Sequence, residues 1–222
     1  MSTPKLKLSY FPIGGRSMPV KVALKYADIP FEFEGIPFEQ WFGQNLQADR
    51  KRFPLGDIPV LDIDGTVMCE ANAIYSYIGQ LTGLWPTKPF DISRAFEVLI
   101  TVEQFFTGMT YGPNDCNFIG SMAIQDPEAK KAARAGACTD RVRIYIGRIN
   151  DIVAANPSGY CAGDKLSIVD IAISEVYLGI SHGRFDDIPA SSVEGFSALK
   201  TLATEKLPVD EKISALIKAE SD

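Results

Sequence analysis

Over residues 1–82 the hydrophobic positions switch between two periods. Leu6, Leu8 and Tyr10 alternate with Lys5, Lys7 and Ser9, which is the repeat of a strand. Ser17 and Pro19 then offer a cap and a first-turn proline, and Met18, Val22 and Tyr26 follow at helical spacing, with Val20, Ala23, Leu24 and Ala27 filling the same face. Phe31 and Phe33 predict a second strand. Residues 59–63 and 67–69 are strand-like and flank Asp64-Gly65, a strong hairpin turn signal. Ile74, Ile78 and Leu81 mark a further helix. The order β-α-β-(loop or helix)-β-β-α makes a small mixed sheet with helices packed on it.

Residues 81–91 hold Gly83, Pro86 and Pro89 and sustain no period, so a domain boundary is placed there. Beyond it the strand signal nearly vanishes. Ala95, Val98, Leu99, Val102, Phe105, Phe106 and Met109 fall on one helical face, and Val142, Tyr145, Ile146, Ile149, Ile152 and Val153 repeat that spacing until Asn156-Pro157 stops it. In Leu166-Ser167-Ile168-Val169-Asp170-Ile171, Ser167 can cap a helix, Asp170 can reach back to the cap's N–H, and Leu166 can pack on Ile171 as a hydrophobic staple. The expected architecture is an α/β domain over 1–82 followed by an all-helical domain over 92–222, without internal repeats.

Composition narrows the function. The chain has 222 residues, 46% hydrophobic and 23% charged, enough apolar mass for one large or two small cores. Its 22 basic against 28 acidic residues give a net charge of −6, which provides no electrostatic footing for a phosphate backbone, so nucleic acid is not an expected partner. No stretch approaches the roughly 20 apolar residues of a membrane helix, and Met1-Ser2-Thr3-Pro4-Lys5 runs into a strand pattern without the apolar core of a signal peptide. The expected address is the cytoplasm. Cys69, Cys116, Cys138 and Cys161 stand far apart with no C-x-x-C pair, as reduced structural thiols do. The single histidine, His182, excludes histidine-rich metal sites; followed by Gly183 it reads as a cation at a helix C-terminus.

Tyr10 ends the first strand just before Phe11-Pro12-Ile13-Gly14-Gly15-Arg16. It can serve either as a core aromatic on the face of Leu6 and Leu8 or as a hydroxyl aimed at the loop that opens the first helix, where Arg16 and the helix amides favour an anion. In Gly56-Asp57-Ile58-Pro59-Val60-Leu61, a proline opens a strand. A cis bond there would expose the preceding backbone to a peptide ligand.

Leu8-Ser9-Tyr10-Phe11, Gly15-Arg16, Trp41, Asp57-Ile58-Pro59, Glu70-Ala71-Asn72-Ala73-Ile74 and the staple together resemble the cytosolic glutathione transferases. Among them they are most similar to the tyrosine-type classes, and within those to the sigma class. The resemblance covers essentially the whole chain. It implies a thioredoxin-like first domain that binds glutathione and a helical second domain that supplies most of the electrophile pocket. Tyr10 would donate to the glutathione thiolate, supported by Arg16. A free thiol titrates near about 8.5, and moving it down about two units asks for roughly 2.7 kcal/mol, within reach of one charge-assisted hydrogen bond and a favourable field.

The resemblance also implies that Phe11 and Asp57 lie in the glutathione site and that Ile58, before Pro59, pairs its backbone with the cysteinyl part of the ligand. Trp41 falls near the glycyl end, with Arg50 for the glycyl carboxylate, although Arg50-Lys51-Arg52 reads equally as a solvated charge run. Glu70 is expected to hold the γ-glutamyl amino group. At Ala71 the relatives usually carry a hydroxyl residue, so a side-chain donor to the γ-glutamyl carboxylate is missing. Phe106, Met109 and Tyr111, late in the first long helix, are candidates for the electrophile pocket. Glutathione is the co-substrate, with no cofactor or metal, and the resemblance implies a homodimer. The activities implied are addition of the thiolate to electrophiles, prostaglandin-type isomerisation or peroxide reduction. The alternative is a non-catalytic relative acting as an interaction or structural module. A dithiol oxidoreductase is excluded because the Phe11–Arg16 loop contains no cysteine.

Overall fold

The computed structural model describes residues 3–110, 115–207, 211–212 and 215–216. Its contacts divide the chain into two units, Met1–Trp85 with Pro208–Asp222, and Pro86–Leu207. The division lies within residues 81–91, where Gly83, in the left-handed region at φ 75°, ends a helix ahead of Pro86 and Pro89. Lys212, among the described residues, falls in the first unit. There Lys212 Nζ donates to the Tyr26 carbonyl at 2.7 Å and pairs with Asp28 at 2.8 Å.

The first unit runs β1 (Leu6–Tyr10), α1 (Met18–Tyr26), β2 (Glu32–Gly35), β3 (Val60–Ile63), β4 (Thr66–Met68) and α2 (Ala71–Thr82). The sheet order is β2-β1-β3-β4. β1 lies parallel to β2, Leu8 opposite Phe33, and antiparallel to β3, Leu8 opposite Leu61. The β3–β4 turn is the predicted one: Asp64 and Gly65 both take positive φ, 52° and 87°, and Asp62 Oδ1 accepts from the Gly65 amide at 2.7 Å. Leu8, Leu24, Leu61, Ile74 and Ile78 are fully buried between sheet and helices, each contributing about 1.5–3 kcal/mol by leaving water. Ser17 precedes α1 as predicted, but its hydroxyl donates backward, to the carbonyls of Ile13 at 3.1 Å and Gly14 at 2.9 Å, instead of capping forward.

In the second unit, α3 (Pro89–Phe106) is followed by α4 (Phe118–Ser121) and a helical run over 127–155. In that run α5 (Pro127–Ala133), α6 (Thr139–Arg141) and α7 (Gly147–Ala155) are joined by wider π-type turns. α8 (Ile168–Ser181) and α9 (Ser197–Thr201) follow. Every strand among the described residues lies in the first unit. The apolar stripe predicted through Met109 is cut at Phe106. The Gly108 amide reaches back to the Glu103 carbonyl at 3.1 Å, and the buried Arg141 guanidinium takes the Gln104 and Met109 carbonyls, each at 2.6 Å, while pairing with Asp115 at 2.8 Å. At the start of α8 the Asp170 carboxylate accepts from the Ser167 amide (2.8 Å), the Ser167 hydroxyl (2.7 Å) and the Cys161 amide (2.6 Å). The predicted reach-back is therefore present and extends to a loop nine residues upstream.

Candidate functional site

β1 delivers Tyr10 to the end of the sheet with its ring 6% exposed, packed among Ile36, Trp41, Phe53, Ile58 and Val60. Beyond it the chain turns through residues 11–14 into the tight turn Gly15–Ser17 and then α1. Gly15 sits at φ 47°, and a Cβ there would lie 3.2 Å from the Tyr10 hydroxyl. Both the left-handed backbone and the close approach favour glycine. The Arg16 amide and guanidinium both hydrogen-bond the hydroxyl, so its oxygen is acceptor to them and its own proton remains to be donated. Burial pushes the Tyr10 phenol above its ordinary value of 10.0, the Arg16 charge pulls it back, and the Asp57 carboxylate raises it. A phenol so placed stays protonated at neutral pH. With the Arg16 guanidinium and amide beside it, the place suits an anionic acceptor.

Two side chains outside the predicted site, Tyr75 and Ser17, hold this loop. The nearly buried Tyr75, on the inner face of α2 with Ile74 and Ile78, donates its hydroxyl to the Arg16 carbonyl at 2.9 Å. The buried Ser17 ties the turn to the carbonyls of Ile13 and Gly14. The available signal was a tyrosine on the apolar stripe of a helix, whose hydroxyl needs a polar partner when buried.

The structure brings Ile58 and Pro59 to Tyr10: Ile58 shares its core cluster and the Ile58–Pro59 peptide is cis. The Ile58 amide donates to Asp57 Oδ1 at 2.8 Å. Trp41 is buried, edge-on to Phe53 at 5.0 Å between ring centres, beneath the same cluster. Arg50 lies with its guanidinium against Gly56, so close that a Cβ there would collide with Nη1, whereas Arg52 turns away to pair with Glu34. The basic run thus splits, with Arg50 alone beside the segment leading to Ile58. Glu70 precedes α2, exposed and at φ 69°, a conformation that costs a non-glycine residue about 1–3 kcal/mol and clusters at binding sites. Ala71 is the first residue of α2 and is buried. Phe11 lies with its ring centre 5.5 Å from that of Tyr10.

In the second unit Phe106 is half-buried in a ring cluster with Phe105, Phe118 and Phe185, whose centres are 4.8, 6.1 and 5.9 Å away. Met109 lies past the end of α3 and is 71% exposed. Tyr111 lies outside the described residues. His182 caps the C-terminus of α8 ahead of Gly183 at φ 70°, the structural role its sequence context gave it.

A four-stranded mixed sheet with a cis-proline loop, and a buried tyrosine donor at the mouth of its first helix, followed by an all-helical unit, define the class: a thioredoxin-like domain joined to a helical one. Family models agree. Residues 8–86 match the glutathione S-transferase N-terminal domain and residues 114–218 the glutathione S-transferase C-terminal domain, and the chain belongs to the glutathione S-transferase family. It is 27% identical over 170 residues to probable glutathione S-transferase 6 of Caenorhabditis elegans, covering 76% of this chain and 77% of that one. Over 102 residues it is 26% identical to hematopoietic prostaglandin D synthase of Gallus gallus, covering 46% and 49% of the two chains. The solved structure of prostaglandin synthase D of Nilaparvata lugens superposes with a TM-score of 0.76 at 27% identity, covering 97% of this chain and 98% of that one. The activity class is that of a glutathione transferase, with glutathione as co-substrate.

Proposed function

We propose that this transferase binds glutathione along residues 1–82 and activates it with Tyr10, whose hydroxyl donates to the sulfur and holds it as thiolate while Arg16 supplies the positive field. The observation that carries this reading is the buried, protonated Tyr10 hydroxyl accepting from Arg16 over the Cβ-free surface of Gly15. The thiol proton leaves to solvent, and the thiolate forms the new bond to the electrophile's carbon as that carbon gives up either a π bond, whose electron pair then takes a proton from solvent, or a leaving group, as chloride departs from 1-chloro-2,4-dinitrobenzene. Phe11 and Asp57 belong to the glutathione site, the Ile58 backbone at Pro59 pairs with the cysteinyl part, and Trp41 and Arg50 serve the glycyl end. Glu70 takes the γ-glutamyl amino group and the Ala71 amide its carboxylate.

The sigma class is the subclass proposed, supported by the prostaglandin synthases among its relatives. Prostaglandin-type isomerisation joins conjugation among the proposed activities on that ground. A cytoplasmic homodimer is proposed as the working form. α3 exposes Phe90 and Ile100, at 69% and 53%, apolar area that a mate would cover, and sedimentation should read twice 24.3 kDa. Calorimetric titration with glutathione, followed by conjugation of 1-chloro-2,4-dinitrobenzene, tests the reading. Glutathione binding without any turnover would favour the interaction module instead.

A further inference from the structure

We infer that Cys116 and Cys138 close into a reversible disulfide when the chain meets a hydroperoxide, and that the link pins the segment beyond α3 to the helical run over 127–155. The two residues stand 22 apart in sequence, and the fold brings them together. Cys138 ends the π-type turn Arg134–Cys138, whereas Cys116 lies just before α4. The Cys138 thiol donates to the Cys116 carbonyl at 3.3 Å, and the two thiols are in hydrogen-bond contact with each other. Both are free thiols.

The two sulfurs differ as an attacked thiol and its resolving partner differ. Cys116 is half-buried, within reach of a small oxidant, and Cys138 is 0% exposed. Burial holds the Cys138 thiol protonated, so it is not the sulfur that a peroxide takes first. Once its neighbour is oxidised, the same basicity makes Cys138 the stronger nucleophile, and the Arg134 charge and the Ser121 hydroxyl beside it favour the thiolate as it forms. Arg134 Nε donates to Ser121 Oγ at 3.0 Å, which fixes that polar pair.

The steps balance with the hydroperoxide as oxidant. The Cys116 sulfur attacks one oxygen of hydrogen peroxide, the O–O bond breaks, and the departing hydroxide leaves as water with the thiol proton, so that Cys116 becomes a sulfenic acid. The Cys138 sulfur then attacks the Cys116 sulfur, the S–O bond breaks, and a second water carries off the Cys138 proton. Two thiols have lost two electrons and two protons, and one peroxide has become two waters. Two molecules of a thiol such as glutathione reverse the link by exchange and leave as their own disulfide.

What the link restrains lies on either side of Cys116. Asp115 pairs with Arg141, whose guanidinium holds the Gln104 and Met109 carbonyls, and Asn117 Nδ2 donates to the Gly108 carbonyl at 3.0 Å. A covalent bond between them ties the end of α3 to the helical run.

The test uses the full chain as wild type, C116S and C138S, reduced, freed of reductant and treated with equimolar hydrogen peroxide. Wild type should lose two hydrogen atoms by intact mass, yield tryptic peptides joined through residues 116 and 138, and regain both hydrogens in dithiothreitol. The oxidised chain should melt about 5–10 °C higher, the scale for closing a loop of this length in a chain of this size, and its Gly108 amide should exchange severalfold more slowly. C138S should stop at a sulfenic acid on Cys116 that dimedone traps, and C116S should give neither product. A bond between two chains, a bond through Cys69 or Cys161, or sulfinic acid on Cys116 in place of the disulfide would overturn the pair. Unchanged melting and exchange after oxidation would overturn the restraint. Mass, melting and exchange need no glutathione, so the pair stands or falls separately from the glutathione reading.

Discussion

Replacing Tyr10 with phenylalanine removes one oxygen from a ring that is otherwise core. The ring keeps its neighbours Ile36, Trp41, Phe53, Ile58 and Val60, so the apolar part of its stability is retained. What is lost is the hydroxyl, which accepts from Arg16 and, in the proposed complex, donates to sulfur. A hydrogen bond to a charged partner is worth about 1.5–3 kcal/mol, and the Arg16 donors, no longer held by the phenol oxygen, can turn toward the sulfur and recover part of it. The bound thiol should therefore titrate about one to two units higher, and at neutral pH the conjugation rate should fall about ten- to a hundredfold. Ultraviolet titration of the thiolate reads the first quantity and the pH profile of kcat/KM the second. Glutathione affinity at a pH where the thiol is protonated should change little, because the donor acts on the charged form. If both the thiolate titration and the rate were unchanged, Arg16 or a loop amide would be the activating group and Tyr10 a packing residue.

Further outcomes follow from the same contacts. Ala71→Ser restores a hydroxyl at the first position of α2 and should tighten glutathione about three- to thirtyfold by calorimetry, with little change in melting temperature. Tyr75→Phe releases the Arg16 carbonyl and should cost about 1 kcal/mol in chemical denaturation while lowering kcat/KM severalfold through a looser loop. Asp170→Ala strands the donors of Ser167 and Cys161 in the core and should cost about 3–5 kcal/mol, read as a lower denaturation midpoint. Burial pushes the Cys138 thiol from its usual 9.0 up to about 12 and Cys161 well above 9.0. Between those values the unfolded chain has released protons that the folded chain keeps, so stability should fall as pH rises above about 9, by at most about 1.4 kcal/mol per pH unit for each thiol. Cys138→Ala should flatten that decline in urea titrations at pH 8 and 10.

Legibility followed the range of the interaction. The strands of β1, β3 and β4, the Asp64-Gly65 turn and the Asp170 reach-back to Ser167 at the start of α8 carry their signals within a few residues, and each stands where the pattern placed it. The end of α3 did not, because Arg141, 32 residues further on, takes the Met109 carbonyl and so fixes a terminus that the apolar stripe alone would extend. Ser17 shows the same limit at short range. Its hydroxyl can cap forward or bond backward, and the turn at Gly15 makes the backward carbonyls the nearer partners. The charge run Arg50-Lys51-Arg52 looked uniform in sequence, and only the fold separates an arginine over Gly56 from one paired with Glu34.

The position of Tyr10 also explains why a tyrosine at a strand end reads ambiguously as core or as chemistry. Burial alone would hold the proton so tightly that the phenol became a poor donor, and exposure alone would give the site to water. Packing against Trp41 and Ile58 supplies the first effect and Arg16 opposes it, so the phenol stays protonated yet polarised by two donors on its oxygen. The two readings are therefore one requirement: the residue must be core to be a useful donor. The same logic explains the glycine at 15, since a Cβ there would stand 3.2 Å from the hydroxyl and crowd its oxygen. On this view the strained backbone at Glu70 and the close approach at Gly15 serve the same end. Each holds the left-handed backbone that local stability disfavours, at a position the proposed glutathione site uses.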